Sequence, residues 1–347
     1  MLIEAVELQK VFRVSKKTSG ALGAVRGVFR PQWREVAAVE SVSFGVARGE
    51  LVGYIGPNGA GKSTTIKMLT GILLPSGGTV RVDGRDPHHD RVAHARGIGV
   101  VFGQRTQLWW DLPTRDSFGL LRHLYHIPAA RFATNLAAFT ELLDMGDFLD
   151  TPVRQLSLGQ RMRAELAAAL LHDPAILFLD EPTIGLDLVA RERIRSFLQQ
   201  LNREHGVTIV LTTHDLGDIE RLCQRVIVID HGRVAYDGAL EQLRTRYGRE
   251  RTLVADLAED TTSAGNRLAA LNIAGVRLME CANGQARLSF DREAISAATL
   301  VARVADTVVL RDLSIVEPPI EHVIQQIYQV GASHDLLPPA TGGGTKV

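Results

Sequence analysis

Cysteine is scarce in this 347-residue chain: Cys223 and Cys281 are the two present. They stand far apart and form no CxxC pair, which excludes a zinc knuckle and a thioredoxin-type motif; two unpaired small hydrophobes fit a reducing compartment. A dominant charge is missing as well. Its 39 basic and 39 acidic residues cancel, so no overall positive field draws the chain to nucleic acid regardless of sequence. No run of 18 apolar residues occurs, and the greasiest stretches, such as Ala175–Leu179, have strand length. The chain is therefore not expected to span a bilayer, and any membrane role must come through a partner or a surface contact. The first residues lack the basic start and apolar core of a secretory signal.

What is present is globular: 45% of residues are apolar and 22% charged. The length suggests two domains. Residues 51–56 form a short apolar run that ends at glycine, followed by GPNGAGKST and a segment of helical spacing: strand, loop, helix. A second run, Ala175–Glu181, follows the Ala/Leu-rich stretch RMRAELAAALL, a strong helix former. A third, Val207–His214, follows a helical segment from Val189 to Arg203. Strands apolar on both faces and alternating with helices predict a parallel sheet packed between helices, an α/β fold. IEAVELQKVF, AVESVSFGV and GTVRVDG alternate and predict an antiparallel group; Arg225–Gly238 predicts a hairpin turning at Asp230–Gly232. Composition shifts near Ala239–Arg246. Beyond it the pattern predicts strand 252–257, helix 263–272, strand 275–281, a turn at Asn283–Gly284, strand 285–290, helix 292–304, strand 308–316 and helix 319–329. That is the split βαβ order of a small ferredoxin-like α+β domain over about 247–330, with a loose Gly/Pro-rich tail at 331–347.

Gly56-Pro57-Asn58-Gly59-Ala60-Gly61-Lys62-Ser63 fits the phosphate-loop pattern. Glycines let the backbone wrap so that successive N–H groups face phosphate oxygens, and the following helix adds its positive end. Lys62 can neutralise the β- and γ-phosphates, and the Ser63 hydroxyl can hold Mg²⁺. Asp180 and Glu181 end a buried strand, where open α/β sheets bind ligands. Asp180 would hold the metal, directly or through water, and Glu181 would act as general base on the attacking water.

Three further elements narrow the reading: Leu156-Ser157-Leu158-Gly159-Gln160 directly before a helix, Gln104 after the run Ile98–Phe102, and His214 at the end of the third parallel strand. With these, residues 3–240 resemble an ATP-binding cassette (ABC) protein: Walker A, a Q-loop at Gln104, a signature LSLGQ, Walker B ILFLDE, a D-loop at Gly185-Leu186-Asp187 and an H-loop at His214, in family order. The resemblance implies a phosphate-loop cassette over about 1–240, with a RecA-like core, an antiparallel β subdomain and a helical subdomain at about 105–172. It further implies ATP and Mg²⁺ as ligands. Thr64 joins the phosphate-loop residues around ATP, and Gln104 joins Ser63 and Asp180 around the metal. Cassettes of this kind pair head to tail, so ATP held by Lys62 and Ser63 of one copy is covered by Ser157 and Gly159 of a second, and the resemblance counts Gln160 among the nucleotide-binding residues. Asp187 links the two sites, and His214 steadies the γ-phosphate and the water. Trp33 aligns with the adenine-stacking aromatic. Leu158 departs from the usual LSGGQ by replacing the first glycine, which implies surviving activity with altered packing at the dimer interface.

The resemblance leans toward ATPases of bacterial exporters of drugs, lipids or polysaccharides, peripheral on the cytoplasmic face of the membrane, with separate permease subunits docking near Gln104–Trp110. Trp109 and Trp110 suit an interface anchor there or the interior of the helical subdomain. Lys10, Arg13, Lys16, Lys17, Arg26, Arg30 and Arg34, with no acid between them, mark a basic insertion at about 13–32. Its residues 13–30 could lie on an anionic leaflet or form a solvated loop. A soluble cassette ATPase acting on nucleic acid or ribosomes is the alternative. It is disfavoured by a single Walker A and by the absence of cysteine pairs and heptads, so no nucleic-acid partner is expected. A small-molecule kinase fails on LSLGQ and His214. Asp86-Pro87-His88-His89-Asp90 reads as a polar turn, and His123 and His126 carry no assigned role.

Overall fold

A computed structural model describes residues 1–15, 33–103 and 105–332. It divides into two compact units, Met1–Gly238 and Ala239–Val347.

Among the described residues, the first unit is built on a nine-stranded sheet ordered β4-β1-β2-β9-β8-β3-β7-β6-β5. Its strands are β1 (Ile3–Ser15), β2 (Trp33–Val46), β3 (Leu51–Ile55), β4 (Gly77–Val82), β5 (Ile98–Phe102), β6 (Ile176–Asp180), β7 (Thr208–Thr212), β8 (Arg225–Asp230) and β9 (Arg233–Ala239). The expected antiparallel group is β4, β1 and β2. The parallel group runs β8-β3-β7-β6-β5. β9 lies between the two groups and pairs in parallel with β2 through Ser41 and Arg233. Every residue of β3 and β7 is buried, as are the first four of β6. Each such Ile, Leu or Val contributes about 1.5–3 kcal/mol by leaving water. The ladder register sets the three strand tips side by side: Gly53 pairs with Leu211, and Asp180 with Thr212.

The helices that matter to the site are α1 (Lys62–Leu69), α2 (Arg91–Gly97), α3 (Thr114–Leu124), α4 (Ala129–Leu142), α5 (Leu158–Leu170), α6 (Leu188–His205) and α7 (Leu216–Leu222). Side-chain caps start several of them: Asp90, Ser157, Asp187 and Asp215 each accept a backbone N–H of the first turn. Gly206, left-handed at φ 64°, closes α6. The polar stretch at 86–90 is a turn in which Asp86 Oδ1 accepts the His88 N–H at 2.8 Å, and Asp90 caps α2.

β1 extends through Ser15, so the first residues of the expected insertion belong to a strand. Arg13, Val14 and Ser15 pair with Glu35, Arg34 and Trp33, and Arg13 is bridged to Glu35 at 3.2 Å. Residues 16–32, which carry the rest of the basic stretch, lie outside the described residues.

The second unit opens with helix α8 (Leu240–Tyr247), and its antiparallel sheet is ordered β11-β12-β10-β13. The strands are β10 (Glu250–Leu257), β11 (Val276–Ala282), β12 (Gln285–Asp291) and β13 (Leu310–Val316). Helices α9 (Thr261–Ala270) and α10 (Ala297–Thr307) supply Ala264, Leu268, Leu300 and Val304 to a core with Leu253, Leu288 and Phe290. α10 begins at Ala297 and not near residue 292: Asp291 accepts the N–H groups of Ala294 and Ile295 in a turn, and Ser296 accepts the Thr299 N–H as the cap. The last helix among the described residues, α11, runs Ile320–Ala332, past the expected start of the tail at 331. Residues 333–347 lie outside the described residues.

Candidate nucleotide site

β3 ends at Ile55, and Gly56–Gly61 carry the chain into α1. Two glycines are required by contact. A Cβ on Gly56 would lie 2.4 Å from the Ile229 carbonyl oxygen, and one on Gly61 would lie 2.5 Å from that of Ala38. Gly61 also has φ 103°, in the left-handed region that favours glycine. The loop is thus pressed against β8 and β2, and no side chain caps the start of α1. That helix start is open to an anion.

The loop forms one wall of a cleft of ≈ 600 Å³ lined by Ala38, Asn58, Gly59, Gly61, Lys62, Ser63, Thr64, Glu181, Ile184 and His214. Lys62 is buried; its Nζ donates to Gly56 O at 2.7 Å and Pro57 O at 3.1 Å. Burial lowers the ammonium pKa below the ordinary lysine value, and the nearby carboxylates of Glu181 and Asp180 oppose that shift.

Opposite the loop stand the tips of β6 and β7. Register pairs Asp180 with Phe102 on one side and Thr212 on the other. Asp180 Oδ1 accepts from Ser63 Oγ at 3.2 Å and from Thr212 Oγ1 at 2.5 Å. A hydroxyl and a carboxylate side by side, next to a cradle of backbone N–H groups, are a hard-oxygen set that fits Mg²⁺ on a nucleotide phosphate. Glu181 turns away from the strand at φ 59°, a left-handed conformation uncommon outside glycine, and its N–H donates to Thr212 O at 3.0 Å. Its Oε2 is 2.6 Å from His214 Nδ1 and accepts the His214 backbone N–H at 3.3 Å. The carboxylate is thereby oriented at the mouth of the cleft. β5 reaches the same point, where the Gly103 N–H donates to Asp180 O at 2.8 Å. Gln104, the next residue, lies outside the described residues.

The remaining expected residues gather elsewhere. Ser157 and Gln160 form a reciprocal capping box at the start of α5: Ser157 Oγ accepts the Gln160 N–H at 3.2 Å, and Gln160 Oε1 accepts the Ser157 N–H at 2.9 Å. Asp187 caps α6 by accepting the Ala190 N–H at 2.8 Å. The two segments touch. A Cβ on Gly159 would lie 3.2 Å from Ala190 Cβ, and one on Gly185 would lie 3.0 Å from Leu158 Cδ2. Leu158, which replaces the usual glycine, therefore packs against its own chain's Gly185. Ser157, Gly159, Gln160 and Asp187 do not line the cleft. Trp33 begins β2, 61% exposed, five residues before the cleft-lining Ala38.

Sequence reasoning missed Thr212, whose hydroxyl shares Asp180 with Ser63. Its signal was the threonine two places before His214 on a strand beside β6, legible only once strand order is known. It also missed the buried group Asp218, Thr183 and Arg195. Asp218 accepts from Thr183 Oγ1 at 2.5 Å and Arg195 Nε at 2.6 Å, tying the segment after Glu181 to α6 and α7. An arginine among Ile194, Phe197 and Leu198, all on the buried side of α6, was the available clue.

Comparison with known proteins agrees with this geometry. The family described as ABC transporter matches residues 39–184. The chain is 36% identical over 215 residues to the ABC transporter ATP-binding protein NatA of Bacillus subtilis, covering 62% of this chain and 87% of that one. It is 38% identical over 257 residues to a Nod factor export ATP-binding protein I of Ralstonia nicotianae, covering 69% and 78%. With the daunorubicin resistance ATP-binding protein DrrA3 of Streptomyces coeruleorubidus it shares 35% over 239 residues, covering 69% and 74%. A dimeric post-hydrolysis structure of the ATP-binding cassette MJ0796, bound to ADP and Pi, superposes with a TM-score of 0.57 at 26% identity, covering 69% of this chain and 98% of that one. Phosphate loop, strand-end carboxylates and relatives agree: the chain is an ATP-hydrolysing, ATP-binding subunit and belongs to the ABC transporter family.

Proposed function

We propose that this chain is the motor of an export-type transporter. It pairs head to tail with a second copy on ATP and drives separate permease subunits as a peripheral component on the cytoplasmic face. The observation that carries this reading is the division of the expected site. Lys62, Ser63, Glu181 and His214 line one cleft, with Asp180 bonded to Ser63 beside it, whereas Ser157, Gly159 and Asp187 stand on a different surface. A second copy, turned head to tail, would bring that surface over the first copy's phosphates. Among the described residues no helix is long and apolar enough to cross a membrane. Relatives named for Nod factor export and daunorubicin resistance support the outward direction.

In this mechanism the loop N–H groups and Lys62 take the β- and γ-phosphates, and Trp33 stacks the adenine. Mg²⁺, held by Ser63, Asp180 and Gln104, would neutralise charge on the phosphate oxygens. Glu181 accepts a proton from the attacking water as its oxygen bonds to the γ-phosphorus and the bond to the bridging oxygen of ADP breaks. His214 holds the Glu181 carboxylate in line. The opposing Ser157 and Gly159 present the start of α5 to the γ-phosphate, so nucleotide joins the copies and its hydrolysis parts them. Trp109 and Trp110, 41% and 48% exposed, form the permease anchor.

Purification from the native membrane in mild detergent tests this. A polytopic membrane subunit should co-purify and stimulate ATP hydrolysis, and Trp109→Ala with Trp110→Ala should abolish the stimulation. Recovery with ribosomes or nucleic acid and no membrane subunit would overturn the proposal.

A further inference from the structure

One helix contributes both the signature and the grip on the tryptophan loop. Arg161 and Glu165 lie four residues apart on α5, on one face of it. The Arg161 guanidinium sits 5.8 Å from the Trp110 ring centroid. Glu165 is 3% exposed, in a helix otherwise rich in alanine and leucine. Its carboxylate accepts from Thr106 Oγ1 and from the Gln107 N–H, at 3.3 and 3.2 Å to its two oxygens. Gln107 Nε2 returns a bond to the Glu165 backbone oxygen at 3.1 Å. Within the loop, the Leu108 N–H donates to Thr106 Oγ1 at 3.1 Å, and Leu108 is itself buried. Thr106, Gln107 and Leu108 are thus fixed to α5 immediately before the two exposed tryptophans. A buried carboxylate held by neutral donors is costly to maintain and costly to break, because either partner alone would be left unsatisfied.

We infer that Glu165 is a positioning residue: with Arg161 it clamps loop 106–110 to the signature helix, so that the tryptophans and Ser157–Gly159 move as one body. A push on the tryptophans is then delivered to the residues that cover the γ-phosphate, without a flexible joint between them. The clamp stands on these contacts alone; its consequence for turnover rests on the motor reading above.

Tryptophan quenching tests the clamp in the full chain without nucleotide, using Trp33→Phe so that only Trp109 and Trp110 report. Glu165→Ala should raise the acrylamide quenching constant about two-fold by freeing the loop. Glu165→Gln, which keeps an acceptor oxygen, should stay near the parent. Parent-like quenching in Glu165→Ala, or equal loss in Glu165→Gln, would overturn the clamp. Should Glu165→Ala not fold, Thr106→Val decides: raised quenching supports the clamp and parent-like quenching rejects it. In ATPase assays Glu165→Ala should lower kcat about five-fold with KM for ATP within about two-fold, since no cleft residue changes. Unchanged kcat would reject the transmission to the signature. Because the quenching needs neither ATP nor a permease, failure of the clamp and failure of the motor reading are distinguishable.

Discussion

The phosphate loop and the signature are two segments of one chain, and they are built in opposite ways. Lys62 is buried, its ammonium is bonded to loop carbonyls, and Gly56 and Gly61 press the backbone against β8 and β2. Ser157 is exposed and bonds within its own helix turn, through the capping box with Gln160. Asp180 and Glu181 are likewise cross-linked to Ser63, Thr212 and His214, whereas Asp187 caps α6. The difference teaches that one segment is knitted into its own chain around a cleft while the other is left on the surface; on the head-to-tail reading proposed above, the first receives the nucleotide and the second is presented to it. Substitutions on the two sides should therefore fail differently.

The largest expected effect is on the receiving side. Glu181→Gln removes the proton acceptor while keeping the bond to His214 within reach, so turnover should fall about 10³-fold with ATP binding retained. A rapid-quench ATPase assay checks this, and parent-like turnover would remove Glu181 from the base role. On the presenting side, Ser157→Ala should cost about 1 kcal/mol of stability through the lost cap. It should also lower turnover about ten-fold or more through the lost γ-phosphate contact. ATP affinity of the dilute monomer should be unaffected, by fluorescent-nucleotide titration. A matching loss of monomer affinity would erase the contrast between the two sides. Trp33→Ala should weaken monomer affinity about five-fold, a loss of one stacked face, and an unchanged titration would remove Trp33 from the receiving side.

The smallest effect concerns Glu165, on the presenting helix. Burial pushes its carboxyl above the ordinary glutamate range, while bonds from Thr106 and Gln107 oppose that shift. With a raised native pKa, the stabilising contribution is complete below the unfolded value of about 4.3 and is lost as pH rises through the native value. Against Glu165→Gln, the parent should lose unfolding free energy across that window by up to about 1.4 kcal/mol per pH unit. Parallel stability–pH curves for the two proteins would contradict the buried ionisation.

Local pattern revealed most of the receiving side. Gly56–Ser63 and the run ending at Asp180-Glu181 are contiguous, and their glycines and apolar residues state the backbone path directly. Thr212 was not legible because its partnership with Asp180 depends on β7 lying beside β6, a product of strand order. Glu165 showed only as an acid in a helix of alanine and leucine, with its partners on a loop far upstream. Leu158 was visible as a departure from LSGGQ, but its contact with Gly185 requires α5 and α6 side by side. In the second unit the helix-friendly residues after Asp291 masked the stronger cap at Ser296, which delays α10.

In the proposed mechanism ATP joins two copies across these unlike surfaces. Light scattering on Glu181→Gln at saturating Mg·ATP measures this directly. Twice the monomer mass is expected with ATP, reverting to monomer with ADP and with Ser157→Ala added. A monomer under all of these conditions would contradict it.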